Sequence, residues 1–185
     1  MKKQIRAFEK LQVDVKHLDD IPELYKEYIH HPLSNYQFTA RCVRTGGVCF
    51  AYAREKSMTN TTLFLLHLYK HLSAQGVVKC LGAKHHLIPP GANTFQSDVE
   101  SFHRWVEEEL YAAEPFGSKQ LFLKKVAYYQ AWFNFKRQNR YNWDTPLNLA
   151  RQVYLQWKAE ALVWIPVVLD NLLVQQKDEL AQWAA

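Results

Sequence analysis

The chain has 185 residues, 48% of them hydrophobic and 14% aromatic, which is enough to bury one core and too few for a second full domain. Six glycines, seven prolines and no low-complexity tract or internal repeat exclude a fibrous or disordered chain. The net charge of +5 is unevenly placed: Lys119 to Lys158 holds eight Lys or Arg and one acid, Asp144, an excess that suits a polyanion or a solvated helix face.

In chain order, Leu11 to Lys16 alternates apolar and polar residues, the period of a half-buried strand, with Asp14 on the polar side. A loop is expected next, through Asp19, Asp20, Pro22 and His30-His31-Pro32. Tyr36 to Arg44 and Val48 to Arg54 are two further strands joined at Thr45-Gly46-Gly47, so three consecutive strands form a meander. Thr59 or Asn60 caps a helix to about Gln75, with Leu63, Leu66, Tyr69 and Leu72 on one side and Gly76 as its stop. Beyond the Pro89-Pro90-Gly91 turn, Ser97-x-x-Glu100 has the form of a capping box. It opens a helix with Val99, Phe102, Val106 and Leu110 at helical spacing, and with Glu100, His103, Arg104 and Glu107 on the other face. A long helix from about Lys119 to Gln138 carries Leu121, Tyr128, Trp132 and Phe135 as an apolar stripe. Thr145-Pro146 starts another helix through Trp157, and Pro166 restarts an amphipathic segment from Val167 to Trp183.

Cys42, Cys49 and Cys80 form no Cys-x-x-Cys pair and read as reduced thiols. The opening MKKQIRAFEKLQ lacks the apolar centre of a signal peptide. The longest wholly apolar run, Ala161 to Leu169, is far below the roughly 20 residues that span a bilayer. A soluble, cytoplasmic protein with no membrane partner is the expectation.

Two carboxylates carry the chemical interest, Asp14 in a strand and Glu100 in the first turn of a helix. By themselves they read first as a solvent-facing strand residue and half of a capping box. Their surroundings add a resemblance. Phe8 to Leu18 (FEKLQVDVKHL), Phe38-Thr39-Ala40-Arg41 and Ala51-Tyr52-Ala53 are followed by Lys84-His85, Ile88-Pro89-Pro90-Gly91-Ala92 and Gln96-Ser97-Asp98-Val99-Glu100-Ser101-Phe102-His103. Trp132-Phe133-Asn134 with Arg137, Arg140 and Thr145-Pro146 closes the series. In this order the segments resemble the catalytic core of bacterial insertion-sequence transposases, the Asp-Asp-Glu group that shares a fold with retroviral integrases.

The resemblance implies an RNase H-like α/β fold, a mixed sheet with flanking helices. It divides the chain into an incomplete catalytic core over residues 1–115 and a helical C-terminal extension over 116–185. It implies Asp14 and Glu100 as catalytic ligands of Mg²⁺ or Mn²⁺, acting in DNA strand cleavage and transfer. Lys84, His85, Arg104, Lys124, Lys125, Lys136, Arg137 and Arg140 are the implied DNA contacts, and DNA, a homo-oligomer or an intact transposase the implied partners.

One departure matters. The family's second triad Asp follows a fourth strand, and here the corresponding interval, Val77 to Leu87, contains no Asp or Glu. The chain therefore reads as internally deleted, without about one central strand and with impaired cleavage; Asp98, Asp19 and Asp20 are the substitute ligands on offer. A catalytically inactive remnant that binds DNA or an intact transposase is the alternative.

Overall fold

The computed structural model describes residues 7–77, 97–139, 143–153 and 159–175. Three strands, Leu11–His17 (β1), Tyr36–Cys42 (β2) and Val48–Ala53 (β3), form an antiparallel meander in the order β1-β2-β3. The expected hairpin is present: Cys42 donates to Gly47 O and Gly46 to Cys42 O, both at 2.8 Å. Gly46 sits at φ +74°, and a Cβ there would lie 2.7 Å from Asn139 Nδ2, so the turn needs its glycine.

Register divides the sheet into two unlike faces. Asp14 pairs with Thr39 and Thr39 with Phe50; Gln12, Arg41 and Val48 line up beside them, as do Lys16, Gln37 and Tyr52. Cross-strand partners share a face, so this face is polar along β1 and β2 and apolar along β3. The opposite face, with Val13, Val15, Phe38, Ala40, Cys49 and Ala51, is apolar except at the His17 end of β1.

The apolar face is covered by Met58–Ala74 (α2), whose Leu63, Phe64, Leu68 and Leu72 are buried with Phe38, Ala40 and Ala51. Its cap is Ser57, whose hydroxyl accepts from Asn60 N at 3.1 Å, not Thr59 or Asn60. Leu66, expected on the inner stripe, is instead exposed, because the buried stripe runs through Phe64 and Leu68.

The mixed face is covered by Ser97–Val106 (α3) and Lys119–Phe135 (α4). Ser97 is the first residue of α3; residue 96 before it lies outside the described residues. After Val106 the chain continues in a π-helical turn over Glu107–Tyr111, closed by Ala112 N to Glu107 O at 2.8 Å. Phe102 is wholly buried against Phe50 and Phe133, with ring centroids at 6.0 and 4.9 Å. Burying a ring of that size stabilises the fold by about 1.5–3 kcal/mol.

The stripe expected on α4 is displaced by one residue. Phe122, Val126, Tyr129 and Phe133 face the core, whereas Leu121, Tyr128 and Trp132 are exposed and Phe135 is half-buried. The two stripes are equally periodic, so spacing by itself does not choose between them. What chooses is the pair of polar residues between the buried rings. Asn134 Oδ1 accepts from Val48 N and its Nδ2 donates to Val48 O, both at 2.9 Å. Gln130 Oε1 accepts from Phe50 N at 3.1 Å. These amides satisfy the outer edge of β3, and the C-terminal segment completes the row. Trp164 Nε1 donates to Phe50 O at 2.7 Å, Tyr52 N to Val167 O at 2.8 Å and Arg54 N to Asp170 Oδ2 at 3.0 Å. An edge strand that would expose alternate backbone groups is thus closed mainly by side chains.

The loop expected around Pro22 is a helix, Pro22–His30 (α1). Pro22 at its first turn has the fixed φ a helix start accepts, and Ile21 and Leu24 turn into the core. The Thr145-Pro146 start is as expected: Pro146–Val153 (α5) follows Thr145, whose hydroxyl accepts from Asn148 N at 3.2 Å. Its expected continuation to Trp157 falls outside the described residues, as do 78–96, where the central strand is expected to be missing, and the tail beyond 175. Residues 169–175 are helical. Phe116 and Phe122 share one core cluster with Val48 and Phe50, so the expected extension beyond residue 115 packs into the sheet. Among the described residues no helix is long and apolar enough to cross a membrane.

Candidate functional site

The polar half of the sheet meets α3 along β1. Gln12 Oε1 accepts from Val99 N at 3.1 Å, His103 Nδ1 lies 3.6 Å from Asp14 Oδ2, and Lys16 Nζ pairs with Glu107 Oε2 at 2.5 Å. Residues 99, 103 and 107 are one turn apart, so successive turns of the helix sit over successive outward positions of the strand. His103 and Glu107 therefore point toward the sheet, not away from it as expected from the sequence. Asp14 stands between the two elements with its side chain 32% exposed.

Burial raises the Asp14 carboxyl above its usual range, opposed by the Val15 backbone hydrogen bond and by Lys56 and Lys16. Glu100 is exposed in the first turn of α3, one position from Val99 and three from His103. Both expected carboxylates are thus carried by facing elements that touch.

Mg²⁺ takes oxygen ligands and is commonly held through one or two carboxylates together with substrate phosphates. Asp14 and Glu100 are both carboxylates, the ligand type such a cation takes; a two-metal site needs further carboxylates. Among the substitutes, Asp98 is buried, while Asp19 and Asp20 are exposed. Among the described residues, the group of three or more ligand-type side chains whose ligand atoms lie within 4.8 Å of one another is His17, Asp19 and Asp20. It does not include Asp14 or Glu100.

A second constellation was not anticipated from the sequence. His103 Nε2 is 2.9 Å from Thr39 Oγ1, so a hydroxyl, an imidazole and a carboxylate stand in the order found in hydrolases. Thr39 is completely buried, however, and its oxygen also takes Gln37 Nε2 at 2.8 Å. A nucleophile must reach its substrate, so this order is structural. The path continues inward: Tyr111 OH donates to Gln37 Oε1, and Tyr52 OH lies 2.7 Å from Tyr111 OH. The available sequence signal was Gln37-x-Thr39-x-Arg41, polar residues at strand period in a strand buried on both faces.

The expected DNA contacts divide into three groups. Arg104, Lys124 and Lys136 are exposed. Lys125 pairs with Glu114 at 2.7 Å and Pro115 O at 2.6 Å; Arg137 pairs with Glu109 at 2.6 Å and lies over the Trp105 ring at 4.2 Å. Lys84, His85 and Arg140 lie outside the described residues. On α4 and its C-terminal cap, Lys124, Tyr128, Trp132 and Lys136 follow one another at four-residue spacing, all exposed, with Tyr128 66% and Trp132 42% exposed. Asp144, the single acid of the basic region, is engaged by Asn148 Nδ2 at 2.7 Å and Gln152 Nε2 at 2.8 Å.

The fold and site define a mixed α/β protein with a three-stranded antiparallel sheet, a strand carboxylate facing a helix, and a basic aromatic ridge. No protein-family model matches the chain, and no curated protein or solved structure matches it either.

Proposed function

We propose that the chain is the core of a DNA transposase or integrase of the Asp-Asp-Glu group, with an RNase H-like fold, and that it acts on phosphodiesters with a divalent cation. The observation that carries this reading is the placement of Asp14: a half-buried carboxylate on the first strand of a meander, under the first turns of the helix that bears Glu100. Burial disfavours the Asp14 anion, and a bound cation inverts that balance by compensating its charge. Asp14 and Glu100 would hold one Mg²⁺ or Mn²⁺, which supplies charge stabilisation for attack of water or a 3′-hydroxyl on the phosphodiester. The carboxylate count favours impaired cleavage, because ligands that act as a unit fail together when one is missing.

The helix ridge suits the same partner. Lys124 and Lys136 are exposed and would contact phosphates, and Tyr128 and Trp132 between them would offer faces to unpaired bases. Trp143 adds a third face: it is 77% exposed on a backbone with φ +53°, a conformation costly for a residue with a Cβ. Trp143→Gly is expected to raise stability by about 1 kcal/mol and weaken single-strand binding by about 1–3 kcal/mol. Melting and fluorescence titration read the two effects; a loss of stability, or unchanged binding, refutes the stacking role.

The decisive assay is nicking of a labelled duplex with Mn²⁺ or Mg²⁺, comparing the chain with Glu100→Gln. A metal-dependent nick that vanishes in the variant establishes the nuclease. If neither protein cuts and both shift DNA in a salt-sensitive way, the alternative holds: an inactive remnant that binds DNA or associates with intact transposase. In that case Lys124→Ala and Lys136→Ala should each reduce the slope of log K against log salt by about 1.

A further inference from the structure

We propose that His103 is a positioning residue for the Asp14 carboxylate, held as the neutral Nδ1–H tautomer by a buried donor path that begins at Tyr52. The path is Tyr52 OH, Tyr111 OH, the Gln37 amide, Thr39 Oγ1 and His103 Nε2, and the far side of the ring faces Asp14 Oδ2 at 3.6 Å. This deepens the nuclease reading and rests on it for the consequence at the metal; the tautomer stands or falls independently.

Counting hydrogens fixes the direction. Gln37 Oε1 accepts from Tyr111, so Gln37 Nε2 donates to Thr39 Oγ1. The remaining partner of the Thr39 hydroxyl is His103 Nε2, and the hydroxyl has one hydrogen to give. Nε2 therefore accepts, and the ring proton stands on Nδ1, toward the carboxylate. Every donor then points toward Asp14, and each bond polarises the next. The reverse direction turns the Gln37 amide over, moves the proton to Nε2 and sets the Nδ1 lone pair against a carboxylate. Burial, then Lys16 on β1 and Arg41 on β2, disfavour a charge on the ring. In metal sites the donors behind a ligating carboxylate fix its orientation, and removing one costs about 10–100-fold in affinity. The 3.6 Å separation leaves Oδ2 room to adjust when a cation binds on its other side, as such contacts often tighten only in the complex.

The test is the ring-nitrogen spectrum of ¹⁵N-labelled protein at neutral pH, with the His103 signal assigned by its loss in His103→Gln. A protonated Nδ1 with an unprotonated Nε2 is expected; a protonated Nε2, or a mixture of tautomers, overturns the inference. Thr39→Val should shift the proton toward Nε2 and Thr39→Ser should not; a spectrum unmoved by Thr39→Val also overturns it. For the positioning role, Mn²⁺ affinity should fall about tenfold or more in His103→Leu and recover in His103→Asn, which restores an N–H near Nδ1. Equal affinity of wild type and His103→Leu removes that role. A wild-type chain that binds no Mn²⁺ sinks the nuclease reading, and the nitrogen spectrum still decides the tautomer.

Discussion

An Asn134→Leu variant is expected to unfold about 3 kcal/mol more easily than the wild type, because Val48 N–H and C=O, both buried, are left without their partners at a cost of about 1–3 kcal/mol each. The third bond lost, Asn134 Nδ2 to Leu162 O at 3.2 Å, adds to this. For a chain of this length the loss corresponds to a melting temperature lower by roughly 6–12 °C. Leucine keeps the branched skeleton of asparagine and is the larger side chain, so the loss does not come from a cavity. The residue lies in Trp132-Phe133-Asn134, one of the segments on which the proposed likeness to transposases rests, and its amide closes the β3 edge instead of meeting DNA. An unchanged melting temperature with weakened DNA binding would reverse that assignment. Gln130→Leu, which removes the bonds to Phe50 N and Trp164 O, should show the same kind of loss.

Acid is expected to unfold the protein through His103. Burial, then Lys16 and Arg41, lower its pKa to about 3 in the folded state, against about 6.5 in the unfolded chain. The folded ring thus stays neutral where the unfolded ring takes up a proton. This contribution to stability is fully present above about pH 6.5 and is lost as pH falls toward about 3, at roughly 1.4 kcal/mol per pH unit. By pH 4.5 the loss is about 3 kcal/mol. The charged groups around the ring are Asp14 and Lys16 from β1 and Arg41 from β2, with Glu107 of the π-helical turn paired to Lys16. Asp14 acts with the opposite sign: its carboxyl is raised in the folded state, so its protonation favours folding as pH falls. The measurement is therefore a difference, denaturant unfolding of wild type and His103→Gln across pH 4.5 to 8. The wild type should lose stability more steeply below pH 6.5; parallel curves would show that His103 protonates as readily folded as unfolded.

Much of the architecture was written locally in the sequence. The alternation in LQVDVK, the Gly46-Gly47 turn and the Thr145-Pro146 start each depend on neighbours within a few residues, and β1, the β2–β3 hairpin and α5 formed where those signals stood. Helix α1 was legible too, in Pro22 followed by Glu23 and Leu24, but the acidic and histidine residues around it read as a loop.

What the sequence could not decide was which of two periodic stripes faces inward. On α4 the pattern 121, 128, 132, 135 is as regular as 122, 126, 129, 133, and the choice belongs to Gln130 and Asn134, whose partners lie 80 or more residues away on β3. The same holds for the site. Asp14 and Glu100 were visible as residue types, yet their relation depends on α3 crossing β1 in a register set by Gln12 with Val99 and Lys16 with Glu107. The path from Tyr52 to His103 joins side chains from two strands, a helix and a π-turn, and apart from Gln37 and Thr39 on one strand its members are far apart in an extended chain. Local propensity fixes elements because it acts over a turn or two; buried polar partners come from distant segments, and only packing in three dimensions brings them together.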